Sequence, residues 1–498
     1  MVHKRLLSVK YLRDVNPLKF LEIPLLLLLI SISAFLRFKN LGYSEFQDDE
    51  KKAIAVTKTF DWDFFMAQRK GPIQFLVTEA INIFEKNITN ELTYRLPFTI
   101  MNLASVVVVW LLLRRLFKNP FVSFLGALLY AVNGLVVGFA RIAQYQNLNL
   151  LFSPLSLYFY LRLYQDKKKP ILFSTLGTAT FCISLLSHWD ATFYLLPISY
   201  FYLMYIKKQC DKKQARRITI INIVLACILL LPFLIPYVLN QKNNQGNIDY
   251  LSRRLGLSTY SIERHKFIFE LYNPFVAMYL IPLTGLFAFL KFKKNLMFIL
   301  WAGVNFLLIR FFMQKPGTHI YNYVIPMIYL AAAGVGTAIE KLKKRSTLAV
   351  LPILALTGFL VYQTYILFVD HTPEYPWYEK NILSYKKFSL VAPQYVDKEV
   401  LTFGFPHFRN WKEMDKIVSD DPDGCTYITN EGKEISQIYM LSRYGIMGNR
   451  CYYIINIKRP FITRGNETSF AETVGKKKIY SFKQGDETMA SMHKIRAK

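Results

Sequence analysis

The stretch Phe20-Leu-Glu-Ile-Pro-Leu-Leu-Leu-Leu-Leu-Ile-Ser-Ile-Ser-Ala-Phe-Leu36 decides which solvent this chain occupies. At 1.5 Å per helical residue such a run crosses most of a hydrocarbon core, and lipid accepts only elements whose backbone groups are bonded internally. Further runs of the same kind lie near Pro97–Leu113, Phe121–Phe139, Leu148–Tyr164, Ile171–Ser187, Ala191–Ile206 and Ile218–Leu239. Others lie near Pro274–Leu290, Leu296–Met313, Ile320–Ile339 and Leu348–Val369. The expectation is an all-α polytopic membrane protein of about eleven helices. Composition agrees, because a chain of 498 residues that is 53% hydrophobic and 16% aromatic has too much apolar surface for ordinary soluble domains.

A net charge of +28 would point to nucleic acid on a soluble protein. Here the cations occupy alternate connections: Arg114, Arg115 and Lys118; Lys167–Lys169; Lys207 through Arg217; Lys291, Lys293 and Lys294; Lys341 through Arg345. That is the positive-inside pattern, so the bilayer is the partner and nucleic acid is not. Together with Lys4, Arg5, Lys10, Arg13 and Lys19 it predicts a cytoplasmic segment 1–19 and a transmembrane module 20–369. Segments 38–95, 141–147, 188–190, 240–273, 314–319 and 370–498 then face outward. Cleavage at the signal-like Ser31-Ile32-Ser33 would leave that orientation unchanged.

In the first outer loop, Lys51–Phe60 and Pro72–Phe84 carry apolar residues at helical spacing and read as amphipathic helices on the membrane surface. Loop 240–273 opens on a polar run and is a lid candidate. Residues 370–498 change to Pro-, Tyr- and charge-containing sequence with β-type runs Cys425–Thr429 and Tyr452–Ile457, which predicts a small α/β domain. Cys425 and Cys451 share this domain and either pair or stay free, whereas Cys182 and Cys227 fall inside apolar runs.

Four polar groups land on the outer side. The first is Asp48-Asp49-Glu50, where mutual repulsion raises at least one carboxyl toward a useful base, set against a solvated helix-capping turn. The second is Arg141 with Gln144 and Gln146, suited to a phosphate or sugar hydroxyls, or else to interfacial anchoring. The third is the turn His188-Trp-Asp190, which reads as acceptor binding or as a structural His–Asp pair. The fourth is Arg310 with Lys315, His319 and Tyr321, a concentration of cations expensive in a membrane unless paired, with snorkelling as the alternative. No P-loop, HExxH, paired CxxC or Ser/His/Asp arrangement occurs. No metal ligand set and no certain cofactor is assigned, a divalent cation being left open.

The acidic pair after the first helix, Tyr94-Arg-Leu-Pro97 opening the second and Arg114-Arg-Leu-Phe117 closing it resemble the GT-C polyprenyl-phosphate-sugar-dependent glycosyltransferases. The likeness is to the protein O-mannosyltransferase and lipid A aminoarabinose transferase branch and continues through Ala140-Arg141, His188 to Pro197 and His319 to Pro326, covering roughly residues 15–370. The resemblance implies a polyprenyl-phosphate sugar donor, an acceptor hydroxyl on protein, lipid or glycan, and Asp49 as the base. Glu50 or Asp48 would tune that base, while Arg310, Lys315 and His319, with Arg141 as an alternative, would stabilise the departing phosphate. A transporter or flippase for a lipid-linked glycan is the rival reading, and an outer binding domain on an inert anchor a third. The expected location is a plasma membrane, multi-pass, with the C-terminus outside.

Overall fold

The computed structural model describes residues 21–47, 50–55, 70–166, 169–241, 268–313, 316–342, 346–377, 380–393, 403–440, 451–460 and 476–496. Asp48, Asp49, Lys315, most of the lid candidate (242–267) and the second half of the first amphipathic stretch (56–60) lie outside the described residues.

Every apolar run has become helix. In chain order these are α1 (Glu22–Phe38), the short α2 (Glu50–Ala55), α3 (Ile73–Phe84), α4 (Glu91–Phe117), α5 (Pro120–Ala131) and α6 (Gly134–Ala140). Then come α7 (Gln146–Gln165), α8 (Pro170–Ser187), α9 (Leu195–Gln209), α10 (Lys212–Gln241), α11 (Val276–Leu286), α12 (Phe292–Phe311), α13 (Tyr321–Leu342) and α14 (Ser346–Phe368). Among the described residues six helical runs are long and apolar enough to span a membrane, and the pair α5 and α6, bent by 61°, would make a seventh. The remaining helices are shorter or more polar than that test allows.

The run Val276–Phe311 is helical over 36 residues, yet it is not one rod. Thr284 of α11 presents its carbonyl to Gly334 of α13, Asn295 at the start of α12 bonds Thr337, and Asn305 further along α12 bonds the Asn322 carbonyl. The order along α13 rises and then falls, so the chain reverses at the 3-10 turn Phe287–Lys291 and returns, as the sequence predicted. Gly334 is required there, because a Cβ would stand 1.8 Å from the Thr284 oxygen.

Burial sorts the helices. The apolar window of α13 is 78% buried and forms the centre, whereas that of α10 is 11% buried and presents Ile223, Ile228 and Ile235 outward, the profile of a lipid-facing helix. In α3 the inner face is Gln74, Phe75, Thr78 and Ile81, while Leu76, Ile83 and Phe84 are exposed, consistent with a helix lying on a membrane surface. The basic connections gather at one end: Arg114 pairs with Glu22, Arg115 with Asp166, and both Lys291 and Lys294 with Glu340.

The C-terminal part is a small α/β domain, as expected. A hairpin, β1 (Asn381–Tyr385) and β2 (Phe388–Val391), precedes α15 (Trp411–Ser419), β3 (Thr426–Thr429), α16 (Lys433–Tyr439), β4 (Cys451–Ile457), β5 (Lys478–Gln484) and β6 (Glu487–Arg496). The second sheet has the order β3-β4-β6-β5, with β3 parallel to β4 and the other pairs antiparallel. Cys425 and Cys451, adjacent at the edge of the β3/β4 pair, form a disulfide.

This domain is bonded to the loop after α1 residue by residue. Gln47 donates to the Phe405 carbonyl and accepts from Gly404 N–H, Phe46 N–H donates to the Tyr439 hydroxyl, and the Glu45 carboxylate accepts from the N–H groups of Arg409 and Trp411. Gly404, at φ +87°, touches the backbone of Gly138, where a Cβ would come within 2.4 Å.

Burial pushes the Glu45 carboxyl up to about 8, outweighing the N–H bonds from Trp411 and Arg409 that favour its charged form. A folded-state pKa above the unfolded value of 4.5 means the folded protein holds the extra proton, so this stabilisation is full below about pH 4.5 and is lost as pH rises through 8. Thermal unfolding followed from pH 5 to pH 9 should therefore show a falling midpoint in the wild type and a flatter profile in Glu45→Gln. Parallel profiles would contradict the assignment.

Candidate active site

At the end of the bundle opposite the basic connections, the loop after α1 is wound around one guanidinium. Arg95, in the first turns of α4, donates Nε to Glu50 Oε1 at 2.9 Å and Nη2 to Oε2 at 2.8 Å, a bidentate pair with both side chains buried. Its other protons go to the carbonyls of Leu41, Ser44 and Glu45. The Glu50 carboxylate also accepts from Gln47 N–H and from Ala143 N–H, each at 2.8 Å. The sequence reading placed Glu50 beside the chemistry as a tuning carboxylate; the structure turns it inward, with four donors on it.

Ala143 belongs to the short loop between α6 and α7, which also carries three of the expected site residues. Arg141 spends Nη1 and Nη2 on the carbonyls of Leu36, Arg37, Lys39 and Asn40, so it closes the C-terminal turn of α1, where orphan carbonyls and the helix dipole both favour a cation. Gln144 is buried with neither amide atom bonded among the described residues, and Gln146 has its oxygen in the same condition. Between them, Tyr145 donates its backbone N–H to Gln74 Oε1 of α3 and stacks its ring on His188, centroids 4.1 Å apart.

His188 opens a second cluster. It ends α8, Asp190 follows in the 3-10 turn Trp189–Tyr194, and His319 and Tyr321 arrive from the 3-10 turn Gly317–Ile320 and the first residue of α13. The Asp190 carboxylate receives His319 Nδ1 at 2.7 Å and the Tyr321 hydroxyl at 2.9 Å on Oδ2, while His188 Nδ1 lies 3.2 Å from Oδ1. Tyr145 OH lies 3.4 Å from His319 Nε2, and Lys70 Nζ sits 5.1 Å above the Tyr145 ring. Burial alone would push the Asp190 carboxyl up, but the charges and hydrogen bonds of His188 and His319 outweigh it and hold it well below the usual carboxylate range. The 3-10 turn is fixed from outside, because Trp301 and Asn305 of α12 both donate to the Phe193 carbonyl.

Four residues expected from two separate sequence groups, His188, Asp190, His319 and Tyr321, therefore form one cluster. Arg310 stands half-buried near the end of α12 with its guanidinium 5.1 Å from the Phe311 ring centre. The sequence reading missed Arg95, Tyr145 and Gln74. It also missed Arg37, a fully buried cation of α1 that bonds Asn102 and the carbonyls of Ser33 and Ala131. A charge directly after the first apolar run was the available signal for Arg37; the positions of Tyr145 and Gln74 become informative only once the loops meet.

Residues 72–235 match the family model described as dolichyl-phosphate-mannose-protein mannosyltransferase. The chain is similar in structure to the archaeal oligosaccharyltransferase AglB from Archaeoglobus fulgidus, solved in complex with an inhibitory peptide and a dolichol-phosphate. The TM-score is 0.55 at 10% identity, over 85% of this chain and 64% of that one, so this chain spans less than two thirds of that relative. It is also similar to ArnT from Cupriavidus metallidurans bound to undecaprenyl phosphate, with a TM-score of 0.54 at 12% identity over 94% of this chain and 97% of that one. The apo state of the same protein gives 0.53. Among curated proteins no sequence match is found.

The buried pair sets the first test of this geometry. Glu50→Gln leaves the Arg95 guanidinium without its counter-charge and should destabilise the protein by about 3–5 kcal/mol. A denaturation midpoint equal to the wild type's would contradict the reading of Glu50 as the structural counter-ion.

Proposed function

On the premise of a GT-C glycosyltransferase fold, we propose that the chain moves a hexosyl or pentosyl unit from a polyprenyl-phosphate donor to an acceptor hydroxyl at the outer face of the membrane. One observation carries the reading: the loop 141–147 is a common wall of the clamped acidic segment and of the histidine cluster. Ala143 N–H bonds Glu50, and Tyr145, two residues on and so at most ~7 Å away between Cα atoms, stacks on His188.

In this mechanism Asp49, the sequence neighbour of the clamped Glu50, takes the proton of the acceptor hydroxyl as its oxygen attacks the anomeric carbon. The bond from that carbon to the phosphate oxygen breaks with inversion, and the electron pair leaves with the lipid phosphate. A phosphate is a good leaving group, so cations need only balance its developing charge. Arg310, Lys315 and His319 are assigned that role. Arg141 is assigned a positioning role, its protons being committed to the end of α1. Glu50 likewise positions rather than reacts, with Asp48 beside the base. Gln144 and Gln146 offer buried amides to sugar hydroxyls. The acceptor is left as a hydroxyl of a protein, lipid or glycan.

The segregation of the basic connections to one end and of the disulfide-bonded domain to the other supports a multi-pass protein with the site outside. The same segregation disfavours a transporter, which needs polar residues along a route through the middle of the bundle.

Transfer of radiolabelled sugar from a pool of polyprenyl-phosphate sugars to extracted membranes tests the proposal. Asp49→Asn, expressed and inserted at the wild-type level, should transfer about 100- to 10,000-fold more slowly. Full activity in that variant would remove Asp49 from the chemistry, and no transfer by either protein across the donor pool would favour the transporter.

A further inference from the structure

His188 Nδ1 faces two groups of Asp190 at once. The backbone N–H of Asp190 lies 3.1 Å from it and the carboxylate oxygen Oδ1 lies 3.2 Å from it. A ring nitrogen carries either one proton or one lone pair, so it satisfies the oxygen or the N–H and not both in this buried place. A cation beside the ring would hold the nitrogen and the carboxylate together.

The rest of the cluster has the form that a cation needs. His188, Asp190 and His319 are all buried, and one ligand atom from each lies within 4.8 Å of the others. Two ligands bonded at 2.0–2.1 Å to one tetrahedral ion stand roughly 3.3 Å apart. Tyr321 occupies Asp190 Oδ2 and leaves Oδ1 to bind, and Tyr145 OH beside His319 Nε2 orients that ring from its far side. Backbone on both sides of the cluster is tied to α12, at the Phe193 carbonyl by Trp301 and Asn305 and at the Asn322 carbonyl by Asn305.

We propose that His188, Asp190 and His319 bind one first-row divalent transition cation, through both Nδ1 atoms and the Asp190 carboxylate, with the remaining coordination positions open. Two imidazoles and one carboxylate suit Zn²⁺, Mn²⁺ or Fe²⁺ and not Ca²⁺ or Mg²⁺, which take all-oxygen sets. His319 Nδ1 gives up the proton it now directs to Asp190, so binding releases about one proton. Resting on the transferase reading, an open position would take an oxygen of the donor phosphate and share its charge.

The test uses the full-length protein in detergent, stripped with chelator and titrated with CoCl₂, whose visible absorption reports protein coordination. The wild type should take up one Co²⁺ per chain. Tyr321→Phe should bind about 10-fold more weakly, and His188→Ala and Asp190→Asn more weakly still. His319→Cys should keep the ion and add a thiolate-to-cobalt band in the near ultraviolet, while circular dichroism verifies that each variant is folded. No stoichiometric uptake, or uptake undiminished in the triple variant His188→Ala/Asp190→Asn/His319→Ala, would overturn the site. Sugar transfer is read separately: transfer that persists with no cobalt bound leaves the enzyme reading intact and removes the metal. Stoichiometric cobalt without transfer in the wild type supports the metal and removes the enzyme reading.

Discussion

The Glu50–Arg95 pair is the constraint on which this end of the molecule depends. A guanidinium and a carboxylate with side-chain exposures of 1% and 0% are costly to desolvate, and a buried ion pair seldom adds much net stability over an apolar pair of the same shape. What it adds here is a unique arrangement. The fork of Arg95 holds the Leu41, Ser44 and Glu45 carbonyls, and Glu50 carries the constraint on to Ala143. Removing either charge strands the other among groups that only it satisfied, so the helix α4, the loop after α1 and the loop before α7 stand or fall together.

The C-terminal domain inherits that order. Glu45, Phe46 and Gln47 lie between the carbonyl that Arg95 grips and the carboxylate it binds, and these three residues make the bonds to Phe405, Gly404, Arg409, Trp411 and Tyr439. Glu91, a turn before Arg95, reinforces them by accepting from Lys412 and from Tyr439. The domain therefore reads the position of the loop through backbone and side-chain hydrogen bonds at its base, and the close approach of Gly404 to Gly138 carries the same contact to α6.

The sequence showed the helices because their signal is long and local: a run of apolar residues has one solution in lipid, and all eleven runs coincide with helix. It showed the reversal near Lys291 because cations mark a helix end, and Glu340 meets them there. It drew His188, Asp190, His319 and Tyr321 as two separate groups because each is conspicuous at a helix end, but their meeting depends on the end of α8 coming to the start of α13, which no local pattern encodes. The partners of Arg141 and Glu50 were hidden for a different reason. A charged residue at a membrane boundary looks the same in sequence whether its partners are a substrate or a set of backbone carbonyls. The β5–β6 hairpin escaped notice because its strands mix Lys and Glu, which are poor strand formers, with the apolar residues.

The unsatisfied groups argue for a ligand where the satisfied ones argue for a scaffold. Gln74 Nε2, both amide atoms of Gln144, Gln146 Oε1 and Asn149 Nδ2 are buried without partners among the described residues, and all lie on, beside or bonded to the loop 141–147. Each such atom costs roughly 1–3 kcal/mol in a folded protein. Evolution of a mere anchor would have replaced them by apolar residues of similar size at little loss, as the neighbouring Ala140, Ile142, Ala143 and Leu148 show the site accepts. A wall that is rigidly bonded on its outer side by Glu50 and Gln74, stacked on a histidine on the other, and lined with unspent amides is expensive as architecture. It becomes economical only when a polar molecule completes it.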